Sequence, residues 1–233
     1  MLFRQLFDRD SSTYTYLLGD EESRKSLLVD PVLEQINRDL QLLNELDLKL
    51  EYIIETHIHA DHITAAAKLK EITGCKTLVP SGAKIGCADH FIKNKEIIEL
   101  SGITIQAINT PGHTDSHMSY LVNNERVLTG DALLIRGCGR TDFQGGDAGH
   151  LYDSVKNGLF TLPDSILVYP AHDYHGYSVS TIGEEKLFNP RFSHRNREDF
   201  IDFMQHLHLA LPDKIMEALP ANEHCGQLTD QTD

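Results

Sequence analysis

Basic residues are scarce in this chain, and their scarcity narrows the range of partners. Lys and Arg number 21 against 35 Asp and Glu, a formal net charge of −14. Nucleic acid and anionic membrane surfaces bind clustered Lys/Arg, so neither is expected as a partner. A small anionic ligand remains compatible, because a pocket can carry its own arginines. No apolar run reaches the length that a bilayer requires. The N-terminal MLFRQLFDRDSS lacks the basic-then-apolar order of a secretory signal, and no long Arg/Ser-rich transit peptide precedes the first structured segment. A cytoplasmic location is therefore expected. Cysteine is sparse as well: Cys75, Cys87, Cys138 and Cys225, with no C-x-x-C pair. That spacing argues against a disulfide scaffold, and the four are expected to be reduced thiols, mostly packing residues. Repeats, low-complexity tracts and linker-like runs are also missing. The 233 residues are expected to form one domain with its own core.

Short β-type segments are expected at 2–6, 13–18 and 26–29, then a helix over about 33–46 whose Ile36, Leu40, Leu43 and Leu46 share one face. The strand LEYIIET follows, and TAAAKLKEI, rich in strong helix formers, reads as a helix start. Further strands are expected at 77–79, 97–100, 103–109, 119–122 and 126–129, with a helix near 150–159 and a strand in SILVYPA. The chain from about 183 reads as mostly helical, with NREDFIDFMQHL and PDKIMEAL as the clearest pieces. The polar tail 221–233 is expected to be loose.

Four loops carry ligand-type side chains. The first, THIHADH, holds His57, His59, Asp61 and His62. TPGHTDSH holds His113, LTGDALL holds Asp131, and YPAHDYHG holds His172. In an extended loop His57 and His59 point the same way, since side chains alternate with period two. A helix start then brings Asp61 and His62 round toward the same point. Imidazole suits Zn and Fe, and carboxylates suit harder cations. Seven such groups can hold two metals, or one metal with hydrogen-bonded supports, and the spacing leaves both open. A lone histidine at a strand end is ordinarily a surface or capping residue, and His90, His150, His194, His206, His208 and His224 are read that way. His117 stays unassigned. Four costly polar groups within six residues have no comparable packing explanation.

The ordered set T-H-x-H-x-D-H, G-H-T, G-D and a late His resembles the metallo-β-lactamase superfamily. The resemblance implies an α/β fold, an αββα sandwich with its metal site at one edge between the sheets. Longer motifs, ALLIRGCGRTDFQ, YPAHDYHGYSVSTIGEEKLFNPRF and PANEHCG, resemble the persulfide dioxygenase group within it, and the likeness runs over nearly the whole chain. GHTDSHMSY departs from that group, with Ser116-His117 where many dioxygenases have a small residue and Cys. G-H-T-x-x-H-x-x-Y is also familiar from glyoxalase II.

The dioxygenase resemblance implies one Fe(II) per chain on His57, His113 and Asp131, a two-His-one-carboxylate face that leaves positions open for O2 and a substrate sulfur. The implied reaction oxidises glutathione persulfide to sulfite and returns glutathione, in sulfide oxidation. His59, Asp61, His62 and His172 would then orient the ligands, or would hold a second metal. The alternative is a glyoxalase II-like hydrolase of glutathione thioesters using two Zn or mixed metals. Arg140, Arg191 and Tyr174 are the expected substrate contacts, the arginines because glutathione carries two carboxylates. The family also suggests a homodimer. Cys138 reads equally as a reactive thiol or as a small buried residue.

Overall fold

The computed structural model describes residues 1–207, 209–210 and 214–227. Twelve strands among them form two six-stranded sheets. The first sheet runs β1 (Leu2–Phe7), β2 (Tyr14–Gly19), β3 (Lys25–Val29), β4 (Lys49–Ile54), β5 (Lys76–Pro80) and β6 (His90–Ile92), in that spatial order. The second comprises β7 (Ile97–Leu100), β8 (Ile103–Asn109), β9 (Met118–Val122), β10 (Arg126–Gly130), β11 (Leu167–Pro170) and β12 (Ser180–Thr181), in sequential order. From β3 to β6 the pairing is parallel. In the second sheet only β10 and β11 pair parallel. Crossovers between parallel strands need a covering helix, and α1 (Ile36–Glu45) and α2 (Ala66–Thr73) supply two of them.

Period-two alternation sorts the strand residues onto two faces. Tyr16, Leu18, Leu27, Val29, Ile54 and Leu78 meet Ile98, Ile103, Ile105, Tyr120 and Leu128 of the other sheet in the central core. Their neighbours Leu17, Leu28, Ile53 and Val79 face the opposite way, against Leu43 of α1 and Leu69 of α2. On the far side Leu121, Val127 and Val168 pack against Leu151 of α3 (Ala148–Asp153), Ile182 of α4 (Ile182–Phe188) and Phe200 of α5 (Arg197–Gln205). The layers are helix, sheet, sheet, helix, as expected. Strands buried on both faces explain the near-continuous apolar runs YTYLLG and KSLLV.

Most strand expectations hold to within a residue or two. Three elements differ. The short, largely exposed β6 has no readable pattern, since two of its three residues face solvent. The helix near 150–159 is α3 continued by an irregular turn over Ser154–Gly158. The tail expected to be loose is docked over 221–227: α6 (Ile215–Asn222) ends in it, and Ala221, Asn222 and Cys225 are buried. His208, residues 211–213 (the first two residues of PDKIMEAL among them) and residues 228–233 lie outside the described residues.

One cysteine expectation is overturned. Cys87 and Cys225 form a disulfide across a sequence separation of 138. Spacing along the chain could not reveal it, because the turn after α6 returns beside the segment between β5 and β6. Cys75 and Cys138 are free and buried, as expected.

Candidate metal centre

The four ligand-bearing loops all leave strand ends at one edge of the sandwich. His57 follows β4, His113 follows β8, Asp131 follows β10 and His172 follows β11. Bonds between the sheets hold this edge together. Met118 N–H donates to the Thr56 carbonyl (2.9 Å), Tyr14 N–H to the Ala171 carbonyl (2.7 Å), and the Tyr120 hydroxyl to the Glu55 carbonyl (2.8 Å).

His57, His113 and Asp131 converge, with donor atoms all within 4.8 Å of one another. Their hydrogen bonds fix which atoms are free. His113 Nδ1 lies 2.7 Å from the Arg140 carbonyl, which can only accept, so Nδ1 carries the proton and Nε2 a lone pair. Nε2 faces Asp131 Oδ2 at 3.5 Å. His57 Nδ1 lies 2.9 Å from Thr56 Oγ1, whose own proton goes to Asp30 Oδ2 (2.8 Å). Nδ1–H must therefore donate, and His57 Nε2 is the free atom. Burial, together with His59 and His113 nearby, holds the His57 pKa well below the usual imidazole value, which keeps the ring neutral. Two imidazole lone pairs and one carboxylate oxygen suit a first-row metal such as iron or zinc, and they fit a single ion.

Asp131 sits on a turn that only glycine can precede. Gly130 has φ +53°, and a Cβ there would lie 2.4 Å from His117 Nε2. That nitrogen accepts from the Asp131 N–H at 3.0 Å. His117 Nδ1–H donates to Thr110 Oγ1 (2.8 Å). Burial pushes the His117 pKa down to about 3, so the ring stays neutral and its acceptor nitrogen is preserved. The unassigned His117 thus supports the backbone of the Asp131 turn.

Of the other four ligand-type residues, the three histidines are engaged with carboxylates, and Asp61 is one of those carboxylates. His172 donates to Asp131 Oδ1 (2.7 Å) and Asp61 Oδ2 (2.9 Å). Burial would lower its pKa, but the two carboxylates overcome this and hold it well above the usual value. Asp61 Oδ2 also accepts from His62 Nδ1 (2.9 Å) and from the Thr13 hydroxyl (3.1 Å). His62 Nε2 is buried with no partner among the described residues. His59 Nε2 lies 3.1 Å from Asp30 Oδ1 and 3.5 Å from Glu55 Oε2, as ion contacts rather than aligned hydrogen bonds. Against burial, these carboxylates push the His59 pKa up to about 10.

A cavity of about 530 Å³ opens over the centre, bounded by Ser11, His113, Asp131, Arg140, His172, Tyr174 and Lys214 among others. Tyr174 is 68 % exposed and stacks on His172 with ring centroids 6.1 Å apart. Arg140 reaches the wall already engaged, with Nε and Nη2 donating to Asp142 (2.6 Å each) and Nη1 to the Ala210 carbonyl. Arg191 does not line this cavity; its guanidinium lies over the Phe203 ring at 4.7 Å. Lys214 is a cation that no motif marked. Thr13 and Asp30 carry no motif signal, each being a single polar residue far in sequence from the histidines it holds; Glu55 lies only four residues before His59 but outside the H-x-H-x-D-H pattern.

The family model for the metallo-beta-lactamase superfamily matches residues 8–172. The chain belongs to this superfamily. Its curated relatives include the persulfide dioxygenase ETHE1, mitochondrial, of Mus musculus, 48 % identical over 98 % of this chain and 90 % of the relative. The Homo sapiens protein of the same name is 47 % identical with the same coverage. Among solved structures, ETHE1 from Myxococcus xanthus superposes with a TM-score of 0.95 at 52 % identity, covering 97 % of this chain and all of that one. The expected superfamily and its fold are thus both found, and the likeness to the dioxygenase group extends through the C-terminal helices beyond residue 172.

Proposed function

We propose that this chain is a mononuclear iron-dependent persulfide dioxygenase. In the reaction, glutathione persulfide, O2 and water give glutathione and sulfite: the S–S bond breaks, and the terminal sulfur takes two oxygens from O2 and one from water. The similarity to persulfide dioxygenases over nearly the full length of both partners supports the reaction class. One geometric observation carries the one-metal reading. His57, His113 and Asp131 offer free donor atoms to a common point; His59, Asp61 and His62 also lie within 4.8 Å of one another, but there His59 Nε2 faces the Asp30–Glu55 pair and Asp61 Oδ2 already accepts from His172. A ferrous ion held on those three residues would supply the one-electron chemistry that lets O2 react with a closed-shell sulfur compound.

The protein's own residues do the positioning. The Arg140 carbonyl and Thr56 hydroxyl fix the tautomers of His113 and His57, and His172 clamps Asp131 to Asp61. The cavity is of the size that small-molecule sites take. Lys214 and Arg140 each offer a cation to a glutathione carboxylate if that carboxylate displaces their present partners, Glu34 and Asp142. Arg191 enters this reading as a contact for the outer end of the substrate, and Tyr174 as a wall beside His172.

The chain is proposed to act as one domain, and as a homodimer. Leu187 and Phe188, adjacent on α4, are 65 % and 61 % exposed and offer apolar area that a second copy would cover. No helix among the described residues is long and apolar enough to cross a membrane. A cytoplasmic site of action is retained in the proposal, although the mammalian relatives are named mitochondrial.

The second reading, a two-metal hydrolase of glutathione thioesters, is favoured by the His59–Asp61–His62 group, whose ligand atoms lie within 4.8 Å of one another and in which His59 Nδ1 and His62 Nε2 have no partner among the described residues. Metal analysis of protein produced with iron and zinc available, paired with O2 uptake on glutathione persulfide, separates the two. About one iron per chain with rapid uptake is expected. Two metals per chain and no uptake would overturn the proposal in favour of the hydrolase.

A further inference from the structure

The loop that carries His59, Asp61 and His62 has no regular secondary structure, yet its backbone polar groups are buried and must be satisfied. Three of them are met by one side chain from the other end of the chain. Asn222 Nδ2 donates to the His59 carbonyl at 2.9 Å and to the His62 carbonyl at 2.8 Å. Its Oδ1 accepts from the Thr64 N–H at 2.9 Å. Asn222 is 3 % exposed, so all three bonds lie out of water.

We propose that Asn222 is a positioning residue for the metal loop. Its carboxamide sets the path of residues 59–64 and thereby the aim of the side chains around the ion. Two donors and one acceptor, in the plane of one small group, match two carbonyls and one N–H. Aspartate has the same shape but presents only acceptors when ionised, so it would set oxygen against both carbonyls. The surroundings hold the amide in place. Ala67 N–H donates to the Cys225 carbonyl at 2.8 Å, three residues beyond Asn222. A Cβ on Gly226 would lie 1.9 Å from the Thr64 carbonyl oxygen, so the turn meets the loop backbone to backbone. The Cys87–Cys225 disulfide ties the same turn to the first sheet.

This inference rests on the site holding a metal and not on the reaction run there, so its test needs no turnover. Zinc and, under anoxia, ferrous iron would be titrated into metal-free protein against a competing chelator. Parent, Asn222→Asp and Asn222→Gln would be compared well below their unfolding temperatures. Groups that orient metal ligands typically change affinity by about 10–100-fold. Asn222 reaches the ligands only through its loop, by way of Asp61, His172 and Asp131, so Asn222→Asp is expected at the lower end of that range, about 10-fold, with its circular dichroism unchanged. Hydrogen exchange is expected to quicken at residues 59–64 and not in the sheets. Asn222→Gln keeps the same groups one methylene further out and should lose less, and it serves if Asn222→Asp fails to fold. Parental affinity and parental exchange at 59–64 in a folded variant would overturn the proposal. So would an affinity loss that merely tracks the unfolded fraction, since that would make Asn222 a packing residue.

Discussion

Replacing Gly130 with alanine tests the account of the Asp131 turn, and its size can be worked from the structure. Gly130 lies at φ +53°, where an L-residue pays roughly 1–2 kcal/mol in backbone strain. The added methyl would also lie 2.4 Å from His117 Nε2, 2.7 Å from His117 Cε1 and 3.0 Å from Thr56 Cβ. His117 is fully buried and its Nδ1 is already committed to Thr110, so the ring cannot swing away without losing that bond. The clash breaks the bond from Asp131 N–H to His117 Nε2, and an orphaned buried donor costs about 1–3 kcal/mol. Together the loss should be about 2–5 kcal/mol, a large share of the roughly 5–15 kcal/mol of a typical domain. Urea unfolding of the metal-free protein reads this directly, and chelator competition on the folded fraction reads the displaced Asp131. A Gly130→Ala protein within about 1 kcal/mol of the parent, at unchanged metal affinity, would refute the strain-and-clash reasoning.

Three further outcomes follow from named groups. His113→Ala removes one of three donors, and metal content on purification should fall to a small fraction of the parent while circular dichroism is retained; full loading would show that His113 is not a ligand. Burial pushes the Cys138 thiol up to about 12, so iodoacetamide at pH 8 should leave it unlabelled in native protein and label it on denaturation. Rapid native labelling would restore the reactive-thiol reading. The Cys87–Cys225 bridge closes a long loop, and in the chain-entropy account a separation of 138 corresponds to about 5 kcal/mol, an upper figure given denatured-state structure. Cys225→Ser, or a dithiol added to the parent, should lower the denaturation midpoint clearly; no shift would mean that the pairing contributes nothing in solution.

The metal cluster was legible because its chemistry is local. H-x-H-x-D-H places four costly side chains in six residues, and four strand-end loops repeat the theme in an order the fold preserves. The scaffold was legible for a related reason: strands covered on both faces leave apolar runs, and helices covering them leave three- and four-residue steps. What stayed hidden is whatever acts across distance. Asn222 meets residues that lie 158 to 163 positions earlier, and Thr13 meets His172 across 159. Each reads in sequence as one unremarkable polar residue. The same holds for Cys87 and Cys225, whose pairing depends on where a C-terminal turn lands. Arg140 lies on the cavity wall, and what its motif does not show is that Asp142 two residues on already pairs with its guanidinium.

The histidines of the cluster are not equivalent, and what divides them is the partner on the far side of each ring. His57 and His113 each give Nδ1–H to an uncharged oxygen, the Thr56 hydroxyl or the Arg140 carbonyl. An uncharged acceptor fixes the tautomer without drawing a second proton, so the other nitrogen keeps its lone pair and can act as a ligand. His59 and His172 each face two carboxylates, Asp30 with Glu55 and Asp131 with Asp61. At His172 the two carboxylates sit on opposite nitrogens and stabilise the doubly protonated ring; at His59 both lie beside Nε2, and Nδ1 is buried with no partner among the described residues. The same residue type can therefore offer a lone pair in one setting and bridge two carboxylates in another. In both cases the choice is made by residues outside the motif: Asp30 from the end of β3, Glu55 from the end of β4 and Arg140 from the loop beyond Asp131.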